Sequence, residues 1–382
     1  MASNGDSGDR KTVCFVARID FLSKPGGDTI QWQMYDRAAR EAGLNVTTWF
    51  DDAPMPEADV VHAFNVDRPL ELYPKLAEAT RRGVPFVMST IHHPQEWLAR
   101  FRRFQPPTGL PGRLLYRSPI GRSIPSSEAI REVAMLVLQR RFRHLGDVVP
   151  WWTNRVKWLL ANAARIALLS PAERIYLERD FAYRCRPEQV LVLPNWVEEA
   201  EDVSSSPPPQ FQQLPEPPVI VVGRVEPRKN SLRICRLAAV ARRHVVFIGR
   251  PHPNERVFVA AFRRAADANG YARWVPGVPR PEMAAFYRHS SFLLNASLLE
   301  VSPLVDIEAL QFGCPVTTTK YALHHDLLPP RTPVCDPYDD GSIVDRLRWR
   351  PARLPPGSPV DGERCKQDLV ETYRVLSCRH DD

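Results

Sequence analysis

Long hydrophobic runs are missing from this 382-residue sequence, and no apolar stretch approaches the ~18 residues of a membrane-spanning helix. The opening MASNGDSGDRK is polar and lacks a basic-then-apolar run, so a cytoplasmic location is expected. The seven cysteines (Cys14, Cys185, Cys235, Cys314, Cys335, Cys365, Cys378) are scattered and odd in number, with no Cys-x-x-Cys pair. That argues against a disulfide framework and against zinc-type spacing, and leaves buried free thiols in a reducing compartment. No stretch has the form of a zinc finger, an RNA-binding sheet signature or a basic zipper, so nucleic acid is not an expected partner. Small internal repeats are absent, and low complexity is confined to one stretch near the middle.

Charge and proline are plentiful. The net charge is +7 and the pI about 9.1, a basic excess that favours anionic partners such as nucleotides or phospholipid headgroups. Hydrophobic residues make up 44% and charged residues 25%, as in a soluble globular protein, and the length suggests two domains. Residues 198–217 are acidic, then Ser-rich, then Pro-rich, and read as an exposed linker. The same rhythm of short apolar runs and helical stretches starts on each side of it. KTVCFVARI, NVTTWF, DVVHAFN and PFVMSTI recur upstream; PVIVVGR, HVVFIGR, SFLLNAS and CPVTTT recur downstream. This predicts parallel α/β sheets, with ligands bound at the C-terminal strand ends. The expected divisions are an N-terminal acceptor-side domain over 1–197, the linker, a C-terminal domain over 218–345, and a tail over 346–382. The tail should be helical near its end and pack back toward the N-terminal domain.

Residues 95–165 break the rhythm by mixing Arg with Trp, Phe and Leu, as in EWLARFRRFQPP and LQRRFRHLGDVVPWWTNRVKWLL. An acceptor-binding or membrane-surface face would look like this, and so would ordinary amphipathic helices with snorkelling arginines.

The chemistry concentrates in SLLEVSPLVDIEALQFGCPV. Ser302 suits an N-cap and Pro303 the first helical position, so a helix start with free N–H groups is expected there, a ready site for a diphosphate. Glu300 lies just outside that end and Glu308 over a turn inside. Acids flanking an anion site suit neutral hydroxyls on either side of it, the layout of a nucleotide sugar. Taken alone, the two glutamates read as a loop acid and a solvated helix acid. In VVGRVEPRKNS, Arg224 follows the strand glycine and Lys229 comes five residues later. Cations there can clamp a leaving diphosphate, whereas Arg228 reads as a surface cation. PGGDT offers backbone N–H groups before a helix in the other domain.

The ordered set GGDT, DVVHAFN, STIHHP, LPNWVE, VVGRVEPRKN, VPGVPRPEMAAFY and NASLLEVSPLVDIEALQFGCPVTTT resembles the retaining glycosyltransferases of family four, also called glycosyl transferases group 1. The resemblance spans roughly residues 12 to 340. It implies an α/β GT-B fold, two Rossmann-like doubly wound domains facing across a cleft. It implies transfer of a sugar from a nucleotide-diphosphate sugar to a hydroxyl acceptor with retained configuration, with no metal and no cofactor. By motif position, Glu300 would contact donor-sugar hydroxyls, Glu308 the ribose, and Arg224 and Lys229 the diphosphate. Gly27 and the N–H groups around Pro303 and Leu304 would complete the phosphate cradle. His92 would lie beside the reacting sugar, with His93 adjoining it. Asn195, Ser302 and Arg250 complete the donor-binding set, Arg250 toward the base. The absence of an Asp-x-Asp motif agrees with a metal-free mechanism.

Three departures from the family pattern stand out. Val301 follows the first glutamate, Trp196 follows Asn195, and Asn230 follows Lys229, each where glycine is usual. The expected activity is synthesis of a cell-surface polysaccharide or glycolipid, with a lipid-linked glycan as acceptor and peripheral contact at the inner membrane face. The competing expectation, motivated by Val301, is a silent GT-B module that binds nucleotide or glycan as a partner subunit.

Overall fold

The computed structural model describes residues 10–17, 21, 26–50, 53–106, 118, 123–138, 152–198 and 206–378. It divides into two compact units. The first groups 1–99, 106–194 and 363–382; the second groups 100–105 and 195–362.

The first unit carries a six-stranded sheet of β1 (Thr12–Val16), β2 (Asn45–Thr48), β3 (Val60–Phe64), β4 (Phe86–Ser89), β5 (Arg165–Leu168) and β6 (Val190–Val192), in the order β2-β1-β3-β4-β5-β6. Every pairing is parallel. A parallel sheet covered on both faces needs apolar residues at consecutive positions rather than alternating ones. VVHAF of β3 and FVMS of β4 meet that demand and are buried along their whole length. The helices Pro69–Arg81 and Trp152–Asn162 cover one face, where Leu72, Leu76, Val156, Leu159 and Leu160 close against Val61 and Met88. The C-terminal helix Gly362–Ser377 joins this unit from residue 363 on. Buried His62 of β3 bridges Tyr373 Oη at 2.6 Å and Ser89 Oγ at 2.8 Å, and Arg374 donates to the Ala42 carbonyl.

The second unit repeats the plan with β7 (Val219–Val222), β8 (Val245–Ile248), β9 (Ala272–Val275), β10 (Phe292–Leu294), β11 (Val316–Thr319) and β12 (Val334–Cys335), ordered β12-β11-β10-β7-β8-β9 and parallel throughout. Strand order reverses between β7 and β10, which opens a crevice at their C-terminal ends. Gly223 follows β7 and the loop 295–303 follows β10, so the motif-bearing residues sit at that reversal. Within the expected linker, residues 199–205 lie outside the described residues. Its second half belongs to this unit: Pro209–Phe211 is a 3-10 turn, and Phe211 is buried edge-to-face against Phe286. One aromatic gives this Pro-rich stretch enough apolar area to anchor.

Part of the Arg-aromatic region (107–117, 119–122 and 139–151) lies outside the described residues. Its described part includes Trp152, which is buried and donates to Glu132 Oε2 at 3.0 Å. Among the described residues no helix is long and apolar enough to cross a membrane. Six of the seven free cysteines are buried and Cys378 is exposed.

Candidate functional site

In the second unit, β7 ends at Gly223, whose φ is +143°. A Cβ there would stand 3.0 Å from Lys229 Cε, so this glycine lets the lysine stem lie across the strand end. The turn Pro227–Lys229 then carries the chain to the helix Ser231–Ala241 through Asn230 at φ +58°. The family glycine at 230 is replaced by a residue that tolerates the left-handed region. The Asn230 amide donates to Ala296 and Pro337 carbonyls and fixes the turn to its neighbours.

Five side chains form an alternating row of charge at this end of the sheet. Lys229 Nζ lies 2.6 Å from Glu300 Oε1, and Arg228 Nη1 donates to Glu300 Oε2 at 2.8 Å. Arg228 Nη2 donates to Glu226 Oε1 at 2.9 Å, and Arg224 Nη2 approaches Glu226 Oε2 at 3.5 Å. His252 Nε2 stands 3.7 Å from the same oxygen. Burial pulls the Glu300 carboxyl upward in pKa, but Arg228 and Lys229 outweigh it and hold it well below the usual carboxylate range. Glu226 is likewise lowered, burial being outweighed by Arg228, Arg224, Lys229 and His252. The expectation that Arg228 is a surface cation is therefore corrected: it lies between two buried carboxylates and also donates to the Leu299 carbonyl at 3.0 Å. Its signal was in the sequence only as the alternation in sign of Arg224, Glu226 and Arg228; the 3-10 turn Pro227–Lys229 is what brings Arg228 between the acids.

Glu300 is placed by its backbone, whose N–H donates to the Tyr321 carbonyl at 2.8 Å; Leu323 N–H donates to Val301 at 2.8 Å. Val301 is buried and its φ lies outside the left-handed region, so this loop makes no demand for glycine there. The helix after it spans Leu304–Gln311, and Pro303, not Ser302, is its N-cap. A proline at the cap has no side-chain acceptor to offer, so the first turn carries no side-chain cap bond. Ser302 Oγ and Asn195 Oδ1 are buried without a hydrogen-bond partner, although Asn195 Nδ2 donates to the Ser302 carbonyl at 3.3 Å.

In the first turn of the helix, fully buried Asp306 accepts from Asn295 Nδ2 at 3.0 Å and Thr318 Oγ1 at 2.6 Å, and lies 3.1 Å from His324 Nε2. Sequence reasoning missed this hub, because its partners come from one strand and two loops. Glu308 accepts from Tyr287 Oη at 2.8 Å and lies 3.7 Å from Arg280; burial raises its pKa. Arg250 is exposed and its side chain runs beside Gly277. Trp196 is 1% exposed, with Gly362 seated against its ring, so it fills a gap rather than offering a stacking face.

In the first unit, Gly27 opens the helix Gly27–Glu41, exposed and with open space where a Cβ would be. Gly26 N–H donates to Thr29 Oγ1 at 3.0 Å. His92 follows β4, but its ring is 1% exposed and both nitrogens are engaged, Nδ1 with Asp67 at 2.7 Å and Nε2 with Asp180 at 3.0 Å. Burial pulls its pKa down, yet the two aspartates outweigh that and push it up to about 9. This ring is an imidazolium locked in the fold, and neither nitrogen is left to reach a sugar. His93 is more exposed; its N–H donates to Asp67 Oδ2 at 3.1 Å. Buried Glu173 accepts from Thr90 Oγ1 and from the N–H groups of His92 and Leu169. These bonds hold Ile91 at φ +46°, a conformation that costs a β-branched residue ~1–3 kcal/mol.

Residues 207–349 match the model of the family Glycosyl transferases group 1. No curated protein matches the chain. Solved structures do match it in fold. Sucrose-phosphate synthase from Thermosynechococcus elongatus has a TM-score of 0.59 at 13% identity, covering 97% of both chains. HepE from Anabaena, in complex with UDP and glucose, has a TM-score of 0.57 at 13% identity, covering 97% of this chain and 95% of that one. WaaG, a glycosyltransferase involved in lipopolysaccharide biosynthesis, has a TM-score of 0.54 at 14% identity, covering 96% and 94%. The two parallel six-stranded sheets are those of the GT-B fold, and the row of charge and both glutamates lie inside the segment that matches Glycosyl transferases group 1.

Proposed function

We propose that this protein is a metal-independent, retaining glycosyltransferase that moves a sugar from a nucleotide-diphosphate sugar to a hydroxyl acceptor. The observation that carries the reading is the row Arg224–Glu226–Arg228–Glu300–Lys229, in which three cations meet two carboxylates beside a helix start at the sheet's reversal point. A surplus of fixed positive charge suits a diphosphate, and stabilising the charge that develops on a leaving group is usually the largest catalytic contribution. Arg224 and Lys229 would take the diphosphate, with the N–H groups at Leu304 and beyond completing the cradle. Glu300 would accept from the donor sugar's hydroxyls and Glu308 from the ribose.

In the reaction, the bond from the anomeric carbon to the phosphate oxygen breaks. The acceptor oxygen bonds to that carbon from the same face, and its proton passes to the departing phosphate oxygen. Arg224, Lys229 and the helix start at the leaving group would do the work that a divalent ion does in metal-dependent transferases. The HepE complex with UDP and glucose supports a uridine nucleotide as donor carrier. The role of WaaG in lipopolysaccharide biosynthesis supports a cell-surface glycan or glycolipid as acceptor.

The test is a thermal-shift panel with UDP, GDP, ADP, dTDP and CDP in EDTA. A ligand that binds only the folded state raises Tm by mass action. One nucleotide should raise Tm without metal, and Arg224→Ala should remove the shift. No shift with any of the five, with or without magnesium, overturns the reading.

A further inference from the structure

Each carboxylate in the row divides its two oxygens between two cations. Glu300 gives Oε2 to Arg228 and Oε1 to Lys229; Glu226 gives Oε1 to Arg228 and Oε2 to Arg224. Arg228 is therefore the middle member, and Arg224 and Lys229, which the proposed function assigns to the diphosphate, are the outer ones. Both carboxylates are buried, at 6% exposure each. A buried carboxylate stripped of its only cation is strongly disfavoured. Lys229 can swing to a ligand only if Glu300 keeps a counter-ion, and Arg224 only if Glu226 does.

We infer that Arg228 is a positioning residue that holds Glu226 and Glu300 in place while Arg224 and Lys229 turn from them to the donor diphosphate. A planar guanidinium suits this task because its fork reaches both acids at once, whereas an ammonium is a single point of charge. The arrangement is anchored on both sides: Arg228 Nη1 donates to the Leu299 carbonyl, and the Arg228 carbonyl accepts from Leu298 N–H at 2.8 Å. The turn after β7 and the loop after β10 are thus tied to each other. Glu226 also has His252 Nε2 at 3.7 Å, so the dependence on Arg228 is greatest at Glu300 and Lys229.

This inference rests on the proposed donor reading, and a double-mutant cycle separates the two. The probe is whichever of UDP, GDP, ADP, dTDP and CDP gives the largest wild-type thermal shift, with Kd then measured by titration calorimetry. In Arg228→Leu, Lys229 becomes the sole counter-ion of Glu300 and stays with it, so affinity should fall about tenfold or more. Adding Glu300→Gln to that variant frees Lys229 and should restore most of the lost affinity. A residue that merely supported the fold would not be rescued by a second change in the site. Arg228→Lys, which keeps charge without the fork, should lose about three- to fivefold and serves if the leucine variant does not fold. Wild-type affinity in the leucine variant, no rescue by Glu300→Gln, or wild-type affinity in the lysine variant would each overturn the inference and leave the donor reading standing. No shift in the wild-type protein with any of the five overturns both.

Discussion

Each unit holds a cation between two acids, and the two clusters differ in what remains unspent. In the first unit Asp67 and Asp180 take both nitrogens of His92, and the ring is 1% exposed. The cluster is closed: Arg179 Nε donates to the second Asp180 oxygen at 3.0 Å and the His93 N–H to the second Asp67 oxygen at 3.1 Å. In the second unit Arg228 sits between Glu226 and Glu300 in the same way, but Arg224 and Lys229 stand at the outer ends, with side chains 36% and 14% exposed. This row has more base than acid and its outer members reach solvent. A satisfied ion cluster maintains structure, whereas one with surplus charge and solvent access can exchange a partner for a ligand.

The comparison can be broken most sharply at His92. His92→Phe strips Asp67 of its imidazole and leaves Asp180 only Arg179, and should cost roughly 3 kcal/mol of unfolding free energy, read by urea denaturation. A loss below about 1 kcal/mol would mean that the closed cluster is not structural.

The second test is pH. The folded-state pKa of His92 is raised from 6.5 to about 9, so its contribution is fully present below 6.5 and is lost as pH climbs through about 9. The expected loss is roughly 3 kcal/mol across that window. Urea midpoints at pH 6, 7.5 and 9 should fall in the wild type and flatten in His92→Gln; parallel curves would rule out the imidazolium.

The outer cations should behave in the opposite way. Lys229→Ala or Arg224→Ala should weaken nucleoside diphosphate binding by roughly 10- to 100-fold, the worth of a charge-assisted bond. Unliganded stability should change by less than about 1 kcal/mol, because Arg228 still neutralises both carboxylates. A large fall in stability would make the open row as structural as the closed one.

The smallest effect is expected at Glu308. Glu308→Gln should cost about fivefold, the worth of one neutral hydrogen bond, and only with nucleotides that carry a ribose 2′-hydroxyl. Calorimetry with UDP and dUDP separates the two cases, and an equal loss for both would remove the 2′-hydroxyl contact.

Much of the architecture was legible in the sequence. Runs such as DVVHAFN and PVIVVGR are strands because a sheet covered on both faces requires unbroken apolar residues, and that requirement is local. The helix at 304–311 was legible from its proline and apolar run, though its cap was misplaced by one residue: Pro303 can take an extended backbone as readily as the first helical turn. Asn230 could be marked only as a departure from glycine; its left-handed φ and its bonds to Ala296 and Pro337 explain it. The sequence placed His92 after a strand and could not tell that Asp67 and Asp180 close on its ring.

The sequence by itself determined which residues carry charge, where the strands and helices run, and that glutamate, arginine and lysine gather near strand ends. Only the tertiary structure decided which charge faces which. Arg228 and Glu300 are 72 residues apart, and His92 and Asp180 are 88 apart. Strand and helix formation follows from neighbours a few positions away, which the sequence displays. Ion pairing and burial depend on chain segments that meet only when the sheet has formed, and burial is what closes one cation into the fold and leaves another at the solvent.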